Sequence, residues 1–288
     1  MYYWRTTLSL DSAERRFLSE HHVGRLYVRY FDVVMDAGGQ PMPNATIAFA
    51  DSLPAAVEVV PTVFITNDCM ASAHPDLARK LVERVAQMNE THDVAGVREL
   101  QIDCDWTLRT RRQFFAFLDE VRTLARQRGW QLSATIRLHQ LSQPVPPVDR
   151  GVLMVYNTGD VTRLDCQHPI LDLADVRAYV PQVAGYKLPL TAAYPLFTWR
   201  VLFRPVGGDA SGAATYRYVG IMHGDDDLPV MAGDTIVTRR PDMAHLMEAR
   251  RVLARQRSDL HREVILYDLS TNNITLFNPD DYETIFGH

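Results

Sequence analysis

Apolar and polar residues alternate along Leu100-Gln101-Ile102-Asp103-Cys104-Asp105-Trp106, and this period of two predicts a strand. Leu100, Ile102 and Cys104 fall on one face, and Gln101, Asp103 and Asp105 on the other. Residues 131–141 repeat the pattern. Leu132, Ala134, Ile136 and Leu138 form an apolar face, and Ser133, Thr135, Arg137 and His139 a polar one. Between the two runs, Phe114, Phe117, Leu118, Val121, Leu124 and Ala125 recur at helical spacing, and Gly129 is placed to stop the helix. Strand, helix, strand over this length is a βαβ unit with parallel neighbours. The acidic face and the Arg/His face are therefore expected side by side.

The same period reading predicts a helix over 12–22, where Asp11 and Glu14 have capping-box-like spacing, and a strand over 25–34. A Gly/Pro-rich loop spans 38–43, and a strand covers 59–67. Pro75 suits the first turn of a helix whose stripe is Leu77, Leu81, Val85 and Met88. Further along, strands are expected at 151–158, at 188–194 with continuation to 204, and at 263–269. Helices are expected at 172–183 and 241–258, with a terminal helix inside 276–286. Residues 207–234, rich in Gly and Asp, read as an excursion. Strands interleaved with helices fit an α/β fold, either a closed (β/α)8 TIM-type barrel or an open doubly wound sheet. No glycine-rich dinucleotide turn follows the first strand, and polar second faces suit a barrel lumen. The expectation is one (β/α)8 barrel domain over residues 1–288.

Composition narrows the picture. The chain has 288 residues, 47% of them hydrophobic, which is enough for a sizeable core. Net charge is −5, Lys80 and Lys187 are the only lysines, and the arginines are spread along helix faces, as in Arg122, Arg126 and Arg128. That distribution argues against nucleic acid as a partner. Cys69, Cys104 and Cys166 form neither a disulfide framework nor a metal spacing, and no cofactor is expected. No run approaches the roughly 20 apolar residues of a membrane helix. Residues 1–7 lack the basic and apolar regions of a secretory signal. Taken as written, the chain is expected in the cytoplasm; with a signal segment ahead of it, in the cell envelope or periplasm.

Two carboxylates on one strand face are costly unless they have partners or a chemical task. Asp103 and Asp105 would sit roughly 6–7 Å apart along the strand. Glycosidases need carboxylates about 5–5.5 Å apart for retention and about 6.5–9.5 Å for inversion, flanking the sugar. One of the pair is thus a candidate catalytic acid, with Asp32, Asp268 or Glu99 as candidate partners. Arg137 and His139 are candidate ligand-binding residues. The alternative for all four is a structural network in which Asp103 pairs with Arg137. Trp106, Tyr156, Tyr194 and Trp199 fall at or after strand ends, where aromatic rings serve as sugar platforms or simply as core. An Asp103/Asp105/His139 metal site would make the chain a metal-dependent hydrolase. The run Asp225-Asp226-Asp227 lacks the spaced order of calcium ligands and reads as a solvated acidic loop.

Several segments together resemble an uncharacterised bacterial family whose members often carry lipoprotein-type signals and look like glycoside-hydrolase TIM barrels. They are Tyr27-Val-Arg-Tyr-Phe-Asp32, Leu100-Gln-Ile-Asp-Cys-Asp-Trp106, Thr135-Ile-Arg-Leu-His-Gln140, Leu153-Met-Val-Tyr-Asn-Thr-Gly159, Gly233-Asp234 and Ile265-Leu-Tyr-Asp268. A more distant likeness is to the chitinase-like glycosidases and their Asp-x-x-Asp-x-Asp-x-Glu strand. Asp103 and Asp105 match its last two aspartates, while Leu100 replaces the first and Thr107 the glutamate. Met154-Val-Tyr156 is similar to the strand that carries a catalytic-site tyrosine in those enzymes. The resemblance implies a carbohydrate or other small polar ligand, and two readings: a glycosidase, or a glycan-binding barrel without catalysis.

Overall fold

The structure is a computed structural model and describes residues 1–208, 214–222 and 227–287. Its centre is a parallel barrel in chain order: β1 (Tyr2–Tyr3), β2 (Arg25–Met35), β3 (Glu58–Ile65), β4 (Glu99–Asp103), β5 (Gln131–Arg137), β6 (Arg150–Met154), β7 (Leu190–Pro195) and β8 (Val264–Tyr267). Each strand pairs with the next, and the Leu269 amide donates to the Tyr2 carbonyl at 2.9 Å, so the last strand returns to the first. The expected α/β barrel is therefore the observed fold. β1 was invisible in the sequence because two residues have no period.

Around the barrel run α1 (Ser12–Glu20), α2 (Leu77–Thr91), α3 (Arg111–Gln127), α4 (Leu173–Gly185) and α5 (Met243–Gln256), followed by two short helices, α6 (Thr271–Ile274) and α7 (Pro279–Phe286). α1 starts as its sequence implied. Asp11 caps the amides of Ala13 and Glu14, and Glu14 returns a bond to the Asp11 amide. α3 buries Phe114, Phe117, Leu118, Val121 and Ala125 against the sheet, as its periodicity predicted, while Leu124 of the same expected stripe is only partly buried. Pro75 lies before α2, not in its first turn, and Asp76 occupies the cap position.

The alternation sorts the core in two. Leu100, Ile102, Leu132, Ala134 and Ile136 face outward into the large cluster beneath the helices. A second cluster, including Tyr2, Tyr27, Met154 and Tyr156, fills the lumen. The lumen also holds polar side chains: the Tyr2 hydroxyl donates to Gln101 Oε1 at 2.7 Å. At the N-terminal end Arg150 reaches both Glu99, at 3.5 Å, and Glu263, at 2.8 Å, and Arg25 reaches Glu263 at 2.9 Å. Gly151 allows the close packing there; a Cβ would stand 2.8 Å from Leu190 and 2.9 Å from Leu188.

Several boundaries differ from the expectation. The acidic strand ends at Asp103, and the Arg/His strand ends at Arg137. Alternation continues past both ends because Cys104 and Leu138 remain buried in loop and 3-10 helix. The run from 188 to 204 is not one strand. β7 stops at Pro195, and Trp199–Gly208 begins an antiparallel sheet with Ala214–Met222 and Thr235–Arg239. The excursion is thus a three-stranded insertion between β7 and α5. Asp225 and Asp226 of the acidic run lie outside the described residues. The loop over 38–43 includes the start of a short strand, Pro41–Asn44, antiparallel to β2.

Candidate functional site

β4 and β5 pair in register, Ile102 beside Ala134, so the next lumen positions bring Asp103 next to Thr135. Thr135 Oγ1 donates to Asp103 Oδ1 at 2.6 Å, and Arg137 Nη2 donates to the same oxygen at 3.1 Å. Asp103 is 3% exposed, so this ion pair is largely screened from water. Burial works against the Arg137 charge, but Asp103, Tyr156 and Asp105 together outweigh it and the guanidinium titrates above its ordinary range. Arg137 also contacts the sulfur of Met154, its register partner on β6.

Past Asp103 the chain leaves the lumen. Asp105 stands on the rim with an exposed side chain, 3.8 Å from His139. His139 belongs to a 3-10 turn, Leu138–Ser142, that follows β5. Gln140 fixes this turn: its amide oxygen accepts from the Arg137 backbone at 2.8 Å, and its Nε2 donates to the Trp106 carbonyl at 3.1 Å. Two rim loops are thereby joined through one side chain. The expected strand geometry for Asp105 and His139 is corrected; both reach the mouth from loops.

Asp105, Arg137, His139, Tyr156, Asn157 and Asp175 line a cleft of about 370 Å³ at this end of the barrel. Tyr156 is 8% exposed, and its buried hydroxyl has no hydrogen-bond partner among the described residues. Burial, then neighbouring Tyr267, pushes that hydroxyl's pKa well above the usual phenol range. The Tyr156 ring stacks on Tyr267 at 5.1 Å between centroids, and Tyr267 in turn meets Trp4 at 5.6 Å and Phe197 at 5.9 Å. Trp199 packs on Phe197 at 5.2 Å. The cleft is thus lined by charged and polar groups together with the rings of Tyr156 and Tyr179, and an aromatic cluster backs Tyr156.

The remaining sequence candidates lie elsewhere. Trp106 is 1% exposed and packs on Phe114 and Phe115 beneath α3, so neither ring face is open to a ligand. Tyr194 points out of the barrel, with its hydroxyl 2.7 Å from His261 Nε2. Both corrections have one cause: residues at a strand end alternate between lumen and helix layer, and these two take the helix side. Asp32 is paired with Arg29. Glu99 belongs to the opposite end of the barrel. Asp268 is half-buried just after β8, where Asn273 Nδ2 donates to it at 2.6 Å. Desolvation raises its pKa to about 6. Thr107 stands in a hydrogen-bonded turn, its amide donating to Thr110 Oγ1 at 3.0 Å, and offers no carboxylate.

Among the described residues no group of three or more His, Cys, Asp or Glu side chains is arranged to hold a metal ion. The Asp103/Asp105/His139 grouping fails because Asp103 turns into the lumen toward Arg137 while the other two stand on the rim. Sequence reasoning missed Thr135, Asn157, Asp175 and Tyr267. Thr135 was visible as a member of the β5 polar face. Asp175 was not, since it follows the helix cap Asp172 and looks like ordinary first-turn acid.

No protein-family model and no curated protein sequence matches this chain. Solved structures do. The spore cortex-lytic enzyme SleL of Bacillus megaterium QM B1551 aligns over 99% of this chain and 72% of its own, with TM-score 0.58 and 12% identity. The Group IV chitinase of Ostrinia furnacalis aligns over 100% and 98%, with TM-score 0.55 and 12% identity. The chitinase of Chromobacterium violaceum ATCC 12472 aligns over 99% and 97%, with TM-score 0.53 and 12% identity. At such identity the likeness is one of fold. This chain shares the barrel of those proteins, and among the described residues no helix is long and apolar enough to cross a membrane.

Proposed function

We propose that residues 1–288 form one glycosidase-like domain that binds a carbohydrate in the cleft at the C-terminal mouth of the barrel. The observation that carries this is a cleft lined by carboxylate, guanidinium, imidazole and amide groups together with the rings of Tyr156 and Tyr179, with Tyr156 packed on Tyr267 and Phe197. Sugars have apolar ring faces and a rim of hydroxyls, and a cleft that mixes rings with polar groups complements both. In barrels of this kind chemistry occurs at the C-terminal ends of the strands. The similarity of fold to chitinases and to SleL supports the same reading.

Within it, Asp105, Arg137 and His139 orient hydroxyls, Tyr156 and Trp199 supply ring contacts, and Asp103 holds Arg137 in place. If turnover occurs, Asp105 is the carboxylate that takes part, because it is exposed at the cleft whereas Asp103 is bound by two donors. A second reading, binding without hydrolysis, is favoured by Thr107 at the position where the chitinase-like strand has its glutamate. Calorimetry with a panel of oligosaccharides, run beside an assay for released reducing ends, decides between them. Heat of binding with new reducing ends supports a hydrolase, and binding alone the second reading. No heat with any glycan would overturn both.

A further inference from the structure

Among the described residues lining the cleft, Arg137 is the one permanent cation, and Asp103 already neutralises it at 3.1 Å. Asp105 lies 3.8 Å from His139, beyond hydrogen-bonding distance, and it shares the field of Arg137 with Asp103, which alone of the two is hydrogen-bonded to that guanidinium. Asp175 reaches the cleft from the first turn of α4. No salt bridge to it is found among the described residues. Burial, and then the like charge of Asp172, hold its carboxyl above the ordinary carboxylate range. Among the described residues, Asp103, Asp105 and Asp175 thus set three carboxylates against the one permanent cation, Arg137, and the cleft keeps an excess of negative charge. Tyr156 lines the same cleft, only 8% exposed, and its hydroxyl has no hydrogen-bond partner among the described residues. A buried hydroxyl in that state calls for a partner from outside the chain.

We propose that the cleft selects an amine-bearing glycan of the glucosamine type, whose ammonium is held by Asp105 and Asp175. A ring oxygen or hydroxyl then accepts from Tyr156. This rests on the carbohydrate reading above and adds the substrate class. A primary ammonium brings one positive charge and three donors, whereas an acetylated amine brings one donor and no charge. Uronic and sulfated sugars carry the wrong sign, since their anions would face two carboxylates in a partly desolvated cleft.

The test is calorimetry with three β-1,4-linked hexamers, of glucosamine, N-acetylglucosamine and glucose, at low salt and at about 0.5 M salt. The glucosamine hexamer is expected to bind about tenfold more tightly than either neutral hexamer at low salt, with the advantage falling at high salt. Asp105→Asn with Asp175→Asn should bring the three hexamers within about twofold of one another. Both residues are exposed, so the variant is expected to keep its fold, as circular dichroism would verify. Glu90→Gln, on the far end of α2, should leave the preference intact and so separates a local effect from net charge. Equal or weaker binding of the glucosamine hexamer overturns the substrate class while leaving the carbohydrate reading in place. Binding of none of the three overturns both.

Discussion

Asp103 and Arg137 meet across two adjacent parallel strands, 3.1 Å apart, under a rim whose other ionisable groups stand in solvent. The pair closes the lumen from below and leaves the cleft above it with excess negative charge. Removing either partner strands the other. Asp103→Ala leaves a half-buried guanidinium without its carboxylate, and a loss of about 2–4 kcal/mol is expected in chemical denaturation. Arg137→Ala should cost a similar amount, and the double variant less than the sum of the two. Additive losses would mean that the two residues act independently.

Trp106 is a core residue despite its place beside the acids. Trp106→Ala is expected to cost about 3–5 kcal/mol, measured by the same denaturation, because it opens a large cavity under α3. Glycan affinity measured on the folded fraction should stay within about twofold of the parent. A large loss of affinity with stability unchanged would assign the ring to the ligand instead.

Asp268 makes stability depend on pH. Its carboxyl titrates at about 6 in the folded chain against an ordinary 3.8, chiefly through burial. A carboxyl raised in this way stabilises the fold in full below the unfolded value and loses that contribution as pH rises through the folded value. Near pH 7 the half-buried anion is therefore a cost. Asp268→Asn keeps the shape and an acceptor for Asn273, and is expected to gain about 1–3 kcal/mol there. The gain should shrink as the pH falls toward about 4, read from melting curves across the range. A gain that does not change with pH would point to packing rather than ionisation.

Asp105→Asn tests the acid at the rim. In a hydrolase, turnover should fall by about 10²–10⁴ while affinity for a neutral glycan changes little, since the amide keeps the shape but cannot exchange the proton. Full turnover in the variant would exclude Asp105 as the essential carboxylate.

Periodicity in the chain determined the βαβ order, the buried stripe of α3, and the face on which Gln101, Asp103, Ser133, Thr135 and Arg137 lie. These follow from spacing along one element, which the chain carries locally. The barrel itself was legible from strand count and from polar second faces. What the sequence could not carry was where each ladder stops and which way the chain turns next. Asp105 and His139 continue an alternating pattern, yet both leave the sheet, because the Gln140 bonds to Arg137 and Trp106 fold the two rim loops against each other. Trp106 and Tyr194 look like mouth residues by position, and the helix layer claims both. Only the closed barrel sets Asp175 on α4 across the cleft from the β4 and β5 loops, because that contact joins residues about 70 apart in the chain and has no local signature.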